Sequence, residues 1–137
     1  MTVILMGAAT KPALKALRAG RAVALLADQD ARDRGVFVPF FGRPASTHRG
    51  PALLALRSGA PVFMATAVRR PDGRYRIRVR RVPVPDGEDD AEREERLTAA
   101  LAAALESVVR EDPAQYLWHH RRWKTRPPGN GTGAESV

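Results

Sequence analysis

The sequence predicts an α/β fold in which a mixed sheet is flanked by helices. Three observations carry that expectation. Two apolar runs, Ala22–Ala27 and Pro61–Val68, are too short for helices and are bounded by polar turn residues, as buried strands are. Arg74–Val82 alternates strictly between apolar and basic residues, the pattern of a strand with two unlike faces. Ala91–Arg110 places Leu97, Leu101, Leu105 and Val108/Val109 at helical spacing. The full order is helix, strand, helix, strand, strand, helix.

Each element has a local reason. Thr10 before Lys11-Pro12 reads as the N-cap of a first helix, with Leu14 and Leu17 on its apolar side and Gly20 as its stop. The first strand, Val23–Ala27, runs into Asp28-Gln29-Asp30. Ser46 or Thr47 precedes a second helix over about Gly50–Ser58, with Leu53, Leu54 and Leu56 for the core and Gly59 ending it. Pro71-Asp72-Gly73 is a turn, because proline presets φ and glycine accepts a positive one. It folds the Arg74–Val82 strand back on Pro61–Val68. In that strand Tyr75, Ile77 and Val79 share one face, and Arg74, Arg76, Arg78 and Arg80 share the other. Acidic residues crowd the start of the long helix, where its dipole favours them. Pro113–Lys124 reads as short helix or irregular chain, and the Gly-rich tail 127–137 as disordered.

The 137 residues amount to one domain, 1–126, or part of one, and 44% hydrophobic content is enough to build a core. The absence of cysteine excludes disulfides and thiolate metal sites. A net charge of +8 favours anionic partners without choosing among nucleic acid, anionic lipid and acidic protein. No apolar run approaches the length of a membrane span. The opening MTVILMGAAT lacks the basic start of a signal peptide.

Several groups can carry chemistry. Asp28, Asp30 and Asp33, with Gln29, suit acid–base work or a divalent cation; equally, they suit a solvated loop paired with Arg32, Arg34 and Arg43. The three histidines, His48, His119 and His120, have no metal-ligand spacing. Tyr116–Arg126 mixes aromatics with cations. That suits a membrane interface, a phosphate-bearing ligand or single-stranded nucleic acid, and equally a segment that covers the sheet. The arginine face of the alternating strand is open between a solvated face and an anion site. Val36–Gly42, with three phenylalanines, is either core or an apolar wall for an acyl chain or bilayer.

Four blocks, in this order and spacing, carry a resemblance: LKALRAGRAVALLADQD, GVFVPFFGRPASTHRGPALLALRSGAP, RRPDGRYRI and PAQYLWHHRRWKTRP. Over residues 13–128 the sequence resembles the lipid A biosynthesis acyltransferases, the lauroyl/myristoyl transferase family. These belong to the larger glycerolipid (lysophospholipid) acyltransferase superfamily. The last block, P-x-Q-Y-x-W-x-H-R-R-x-K-T-R-P, is the most diagnostic. Where the superfamily has Pro-Glu-Gly-Thr-Arg at a strand end, this chain has Ala27-Asp28-Gln29, and Met64 stands where a proline is usual.

The resemblance implies the C-terminal part of a glycerolipid-acyltransferase-like domain. It implies transfer of a fatty acyl group from an acyl carrier protein thioester to a hydroxyl of a lipid A precursor. It implies no metal or organic cofactor. The implied partners are acyl carrier protein, an anionic glycolipid acceptor and the inner-membrane surface at its cytoplasmic face, with no nucleic acid. Asp28 is the implied catalytic carboxylate, supporting a general base. Gln29, Asp30, Arg34, Phe37, Phe40, Arg49, Gly50, Arg121, Arg122 and Lys124 are the implied substrate-binding residues. The family's His-x4-Asp/Glu motif is not found: Leu53, Lys124 and Thr125 follow the three histidines at the required distance. The resemblance places that motif upstream of residue 1, and a chain without it is expected to be inactive alone. The competing reading is a basic, non-enzymatic module that binds nucleic acid or anionic lipid.

Overall fold

A computed structural model describes residues 9–129. Its elements run α1 (Thr10–Arg18), β1 (Val36–Phe40), β2 (Arg43–Thr47), α2 (Gly50–Ser58), β3 (Val62–Arg69), β4 (Tyr75–Val82) and α3 (Asp90–Glu111), with short 3-10 turns at Arg32–Arg34 and Pro113–Gln115. Most of the expected tail, 130–137, lies outside the described residues.

Helix α3 organises the molecule. Asp89 accepts a hydrogen bond from the Glu92 N–H at 2.8 Å and caps its start. One side of α3 places Leu97 and Ala104 against Ala52, Ala55 and Val82, with Val62, Met64 and Leu101 at the margin. Another side places Ala102 against Val38, Phe40 and Ala45, with Leu105, Tyr116 and Trp123 closing over them. The helix therefore lies between two hairpins, and α1 packs on α2 at its flank.

Those hairpins correct the expected sheet. The described strands form two separate antiparallel pairs, β1 with β2 and β3 with β4, rather than one mixed sheet. Val23–Ala27, expected as the first strand, has no regular structure, and Leu26 is 97% exposed. Its composition suits a buried strand, but among the described residues no strand lies beside it to complete its hydrogen bonds. β1 and β2 instead arise inside the phenylalanine-rich segment. Phe41 (φ 51°) and Gly42 (φ 71°) make a two-residue turn with both φ positive, the geometry that matches strand twist. The Phe41 N–H donates to a Glu106 oxygen at 2.6 Å, which fixes the turn to α3.

The second hairpin forms as expected, with Phe63 opposite Arg81, Ala65 opposite Val79, Ala67 opposite Ile77 and Arg69 opposite Tyr75. Its orientation is the surprise. Phe63, Tyr75, Ile77 and Val79 are more than half exposed. The other face holds Val62 and Met64 against the core and carries Arg78 to an ion pair with Glu111 on α3. The apolar face looks outward, and the arginine face is the one on the helix side, with Arg76, Arg78 and Arg80 themselves exposed to solvent. Smaller departures follow from capping. Thr10 is the first residue of α1 rather than its cap. Of the three leucines expected in the core from α2, only Leu54 is buried.

Candidate active site

Four of the expected site residues, Asp28, Gln29, Asp30 and Arg34, lie in one loop, Asp28–Arg34, which is stitched into place from two directions. From β2, the Ser46 carbonyl accepts the Ala31 N–H at 3.2 Å and the Ser46 hydroxyl donates to the Arg32 carbonyl at 2.6 Å. Gly35 lets this contact close: a Cβ there would lie 2.8 Å from the Ala31 Cβ and 2.9 Å from the Thr47 nitrogen. Arg32 is held at φ 55°, a conformation that strains a non-glycine residue and persists only under such restraint.

From the C-terminal segment comes a second set of bonds. The Asp30 carboxylate accepts from the Thr125 hydroxyl at 2.8 Å, the Thr125 N–H at 3.2 Å and the Arg32 N–H at 2.9 Å. The Asp30 N–H donates to His120 Nε2 at 3.0 Å, so this nitrogen is the unprotonated one. The Tyr116 hydroxyl reaches the Asp28 carbonyl at 3.4 Å. Partial burial works against ionising Asp30. The Thr125 and Arg32 hydrogen bonds and the Arg122 charge outweigh it, so the carboxyl sits below its ordinary range.

Arg122 is the hinge of this arrangement. It is 2% exposed, donates to the Ser46 carbonyl and the Thr47 hydroxyl at 2.6 Å each, and lies over the Phe40 ring at 5.3 Å. Burial lowers its proton affinity, and Tyr116, Asp30 and Asp28 oppose that effect. Tyr116 is pushed up by burial, with Arg122 working against the rise and Asp28 adding to it. The Phe40 ring packs with Phe41, Tyr116 and Trp123 at centroid distances of 4.9, 6.0 and 5.7 Å.

The expected residues therefore divide. Asp28 is half-buried, and among the described residues its carboxylate makes no hydrogen bond or ion pair. Gln29 and Arg34, near it in sequence, and Arg121 and Lys124, in the C-terminal segment, are exposed, and Phe37 is half-buried. Phe40 is wholly buried and Arg122 almost so; both are inside the core where a substrate does not reach. Asp30 spends its carboxylate on Thr125 and Arg32. The expected ion pairs of Asp28, Asp30 and Asp33 with Arg32, Arg34 and Arg43 do not form among the described residues. Arg49, just before α2, pairs instead with Glu94 of α3 at 2.5 Å, which raises its proton affinity, and Gly50 opens α2. Reading the sequence missed the loop's partners, Thr125, His120, Tyr116, Ser46 and Thr47. For Thr125, His120 and Tyr116 the signal was the dense polar–aromatic block at 113–127.

The arrangement is a loop that offers a carboxylate at the surface and is braced behind by a buried guanidinium. Comparison with known proteins names the class as acyltransferases. Residues 1–125 match the family described as bacterial lipid A biosynthesis acyltransferase, and the chain belongs to that family. It is 36% identical over 120 residues to the lipid A biosynthesis palmitoleoyltransferase of Escherichia coli K12, covering 85% of this chain and 38% of that protein. It is 38% identical over 123 residues to the lipid A biosynthesis lauroyltransferase of the same strain, covering 87% and 39%. A lipid A biosynthesis acyltransferase of Haemophilus influenzae is 31% identical over 118 residues, covering 83% and 37%. The chain thus spans less than two-fifths of the length of these relatives. Among the described residues no helix is long and apolar enough to cross a membrane.

Proposed function

We propose that this chain forms part of an enzyme that moves a fatty acyl group from acyl carrier protein to a hydroxyl of a lipid A precursor, at the cytoplasmic face of the bacterial inner membrane. The observation that carries the reading is the Asp28 loop. It is braced from β2 and from the C-terminal segment, yet it leaves the Asp28 carboxylate uncommitted. In the reaction a histidine base takes the proton of the acceptor hydroxyl. The resulting oxygen attacks the thioester carbonyl, the carbon–sulfur bond breaks, and the carrier thiol leaves with a proton. Asp28 supports that base by orienting it and stabilising its charged form. No metal or organic cofactor takes part. Exposed Gln29, Arg34, Arg121 and Lys124 meet the anionic glycolipid, and the net charge of +8 suits both it and an acidic carrier protein.

None of the three histidines is followed at the required spacing by a carboxylate, so the chain alone is inactive in this reading. Purified chain with acyl carrier protein thioester and lipid A precursor is expected to show no turnover above background, and turnover would refute that expectation. A chimera in which this chain replaces the matching 120 residues of the palmitoleoyltransferase supplies the base. In it, Asp28→Asn is expected to lower turnover on the order of 10²-fold with an unchanged melting temperature. Unchanged turnover removes Asp28 from the site.

A further inference from the structure

The second hairpin is inverted for a sheet with one covered side. Antiparallel strands that meet water on one face put polar residues there and apolar ones inward. Here the face away from α3 joins Phe63, Ala65 and Ala67 of β3 to Val79, Ile77 and Tyr75 of β4, and all six are exposed. The register makes this surface continuous, with Ala65 opposite Val79 and Ala67 opposite Ile77. Arg81, opposite Phe63, closes one end, and Arg69, opposite Tyr75, closes the other. A continuous apolar patch rimmed by charge marks a contact surface.

Three kinds of occupant can cover such a face, and its surroundings separate them. A second copy brings a further net charge of +8 and the same two arginines, and the face holds no carboxylate to meet them. A bilayer takes the strand edges down with the face. Among the described residues neither β3 nor β4 has a strand on its outer edge, and Gln115 pairs with the Arg69 backbone alone, so unpaired backbone groups would enter hydrocarbon. A protein element carries neither penalty. The matched segment spans 38% and 39% of the two Escherichia coli enzymes, so more than three-fifths of each lies outside it. Val23–Ala27 shows a similar want: it is a strand-like run with Leu25 and Leu26 exposed and no strand beside it among the described residues.

The dimensions of the face select the element. Two paired strands are about 10 Å wide, the diameter of one helix. From Phe63 to Arg69 the strand rises about 20 Å, which about 13 helical residues span. Among the described residues no carboxylate lies within ion-pairing distance of Arg69 or Arg81. A helix with an apolar stripe and a carboxylate near each end is complementary to this surface in shape and charge. We infer that the outward face of β3–β4 seats an amphipathic helix with acidic ends, supplied by the part of a lipid A acyltransferase that lies outside these 137 residues. The seat rests on family membership and not on the acyl-transfer chemistry, and its test reads a thiol rather than turnover.

The chain has no cysteine, so Ile77→Cys and Ser107→Cys, the latter at an exposed position of α3, each introduce a single thiol. Labelling by N-ethylmaleimide is timed in the full chain and in its chimera with the palmitoleoyltransferase, both in the same detergent. It is read by mass spectrometry on the peptide that holds the new thiol. In the full chain the two thiols are expected to label at like rates at any protein concentration. In the chimera the thiol at position 77 is expected to label about tenfold or more slowly, with Ser107→Cys unchanged. Adding Arg69→Glu/Arg81→Glu to the Ile77→Cys chimera is expected to restore most of the lost rate. Equal rates for the two thiols in the chimera overturn the inference. So does protection that requires phospholipid vesicles, which assigns the face to a bilayer, or protection in the full chain that fades on dilution, which assigns it to a second copy. A charge-reversed chimera as protected as its parent overturns it too. If the chimera does not fold, cysteine is placed in the palmitoleoyltransferase itself at the position aligned with Ile77, and labelling there as fast as at an exposed thiol overturns the inference.

Discussion

The clasp between residues 30 and 125 is open to direct measurement by Asp30→Ala. The substitution deletes a carboxylate that accepts from the Thr125 hydroxyl, the Thr125 N–H and the Arg32 N–H at 2.8, 3.2 and 2.9 Å. A hydrogen bond to a buried charge contributes about 1.5–3 kcal/mol, but Asp30 is only half-buried and solvent competes for every donor. Discounting for that, the three together are expected to contribute about 2 kcal/mol. In a domain of this size that lowers the melting temperature by about 8 °C. Thr125→Val removes only the hydroxyl bond. If Asp30 and Thr125 act through each other, the double variant loses less than the sum of the singles, with a coupling of about 1 kcal/mol. Urea denaturation followed by tryptophan fluorescence reads both quantities, since Trp123 packs beside the clasp in the Phe40 cluster. A loss below about 0.5 kcal/mol for Asp30→Ala, or strict additivity in the cycle, refutes the clasp as a stabilising contact.

The same carboxylate gives stability a pH dependence. Its folded-state pKa is depressed, so its contribution is fully present above the unfolded pKa of about 3.9 and fades as pH falls through the folded value. The stability gap between the parent chain and Asp30→Asn is therefore expected to be widest near neutrality and to shrink below about pH 4; thermal melts from pH 7 to pH 2 that show a constant gap contradict it. Two glycines should respond to alanine for opposite reasons. Gly35 has an ordinary φ of −85° but no room beside Ala31 and Thr47, so Gly35→Ala is expected to cost about 2 kcal/mol or more in urea. Gly42 has open space but φ of 71°, so Gly42→Ala is expected to cost about 1 kcal/mol, and the reverse ranking refutes the account.

How far the sequence was legible depends on where each element's information resides. α2, α3 and the β3–β4 hairpin were readable because the Gly59 stop, the acidic cap before α3 and a Pro-Asp-Gly turn are local, whereas Ser46 and Thr47 fall in β2 and do not cap α2. Val23–Ala27 misled because its composition states what a strand would bury, whereas strand formation also needs neighbours that composition does not report. The Phe41-Gly42 turn was hidden because Phe41 is an unusual occupant of a positive φ; Arg110 over its ring at 4.7 Å and Glu106 on its N–H hold it there. Alternation correctly separated the two faces of β4, but nothing in a period of two states which face meets the helix. At the candidate site, Asp28 and the loop around it were legible as a cluster. Arg122, Phe40 and Asp30 were placed with the substrate because cations, aromatics and carboxylates have the same letters whether they face a ligand or each other. Only contacts 75 to 95 positions apart assign them inward.

The hairpin's arginine row also governs what its open edge can accept. An exposed strand with unpaired backbone groups invites a copy of itself, and β4 offers apolar side chains as a further inducement. A second β4 arriving with matched faces, however, would set Arg76, Arg78 and Arg80 against their own kind at about 5 Å. These arginines thus act as a guard against stacking of like chains. That guard weakens as salt shortens the reach of charge from about 10 Å at 0.1 M to about 3 Å at 1 M. High ionic strength, ordinarily chosen to keep a basic protein in solution, is for this chain the condition that lowers its barrier to self-association.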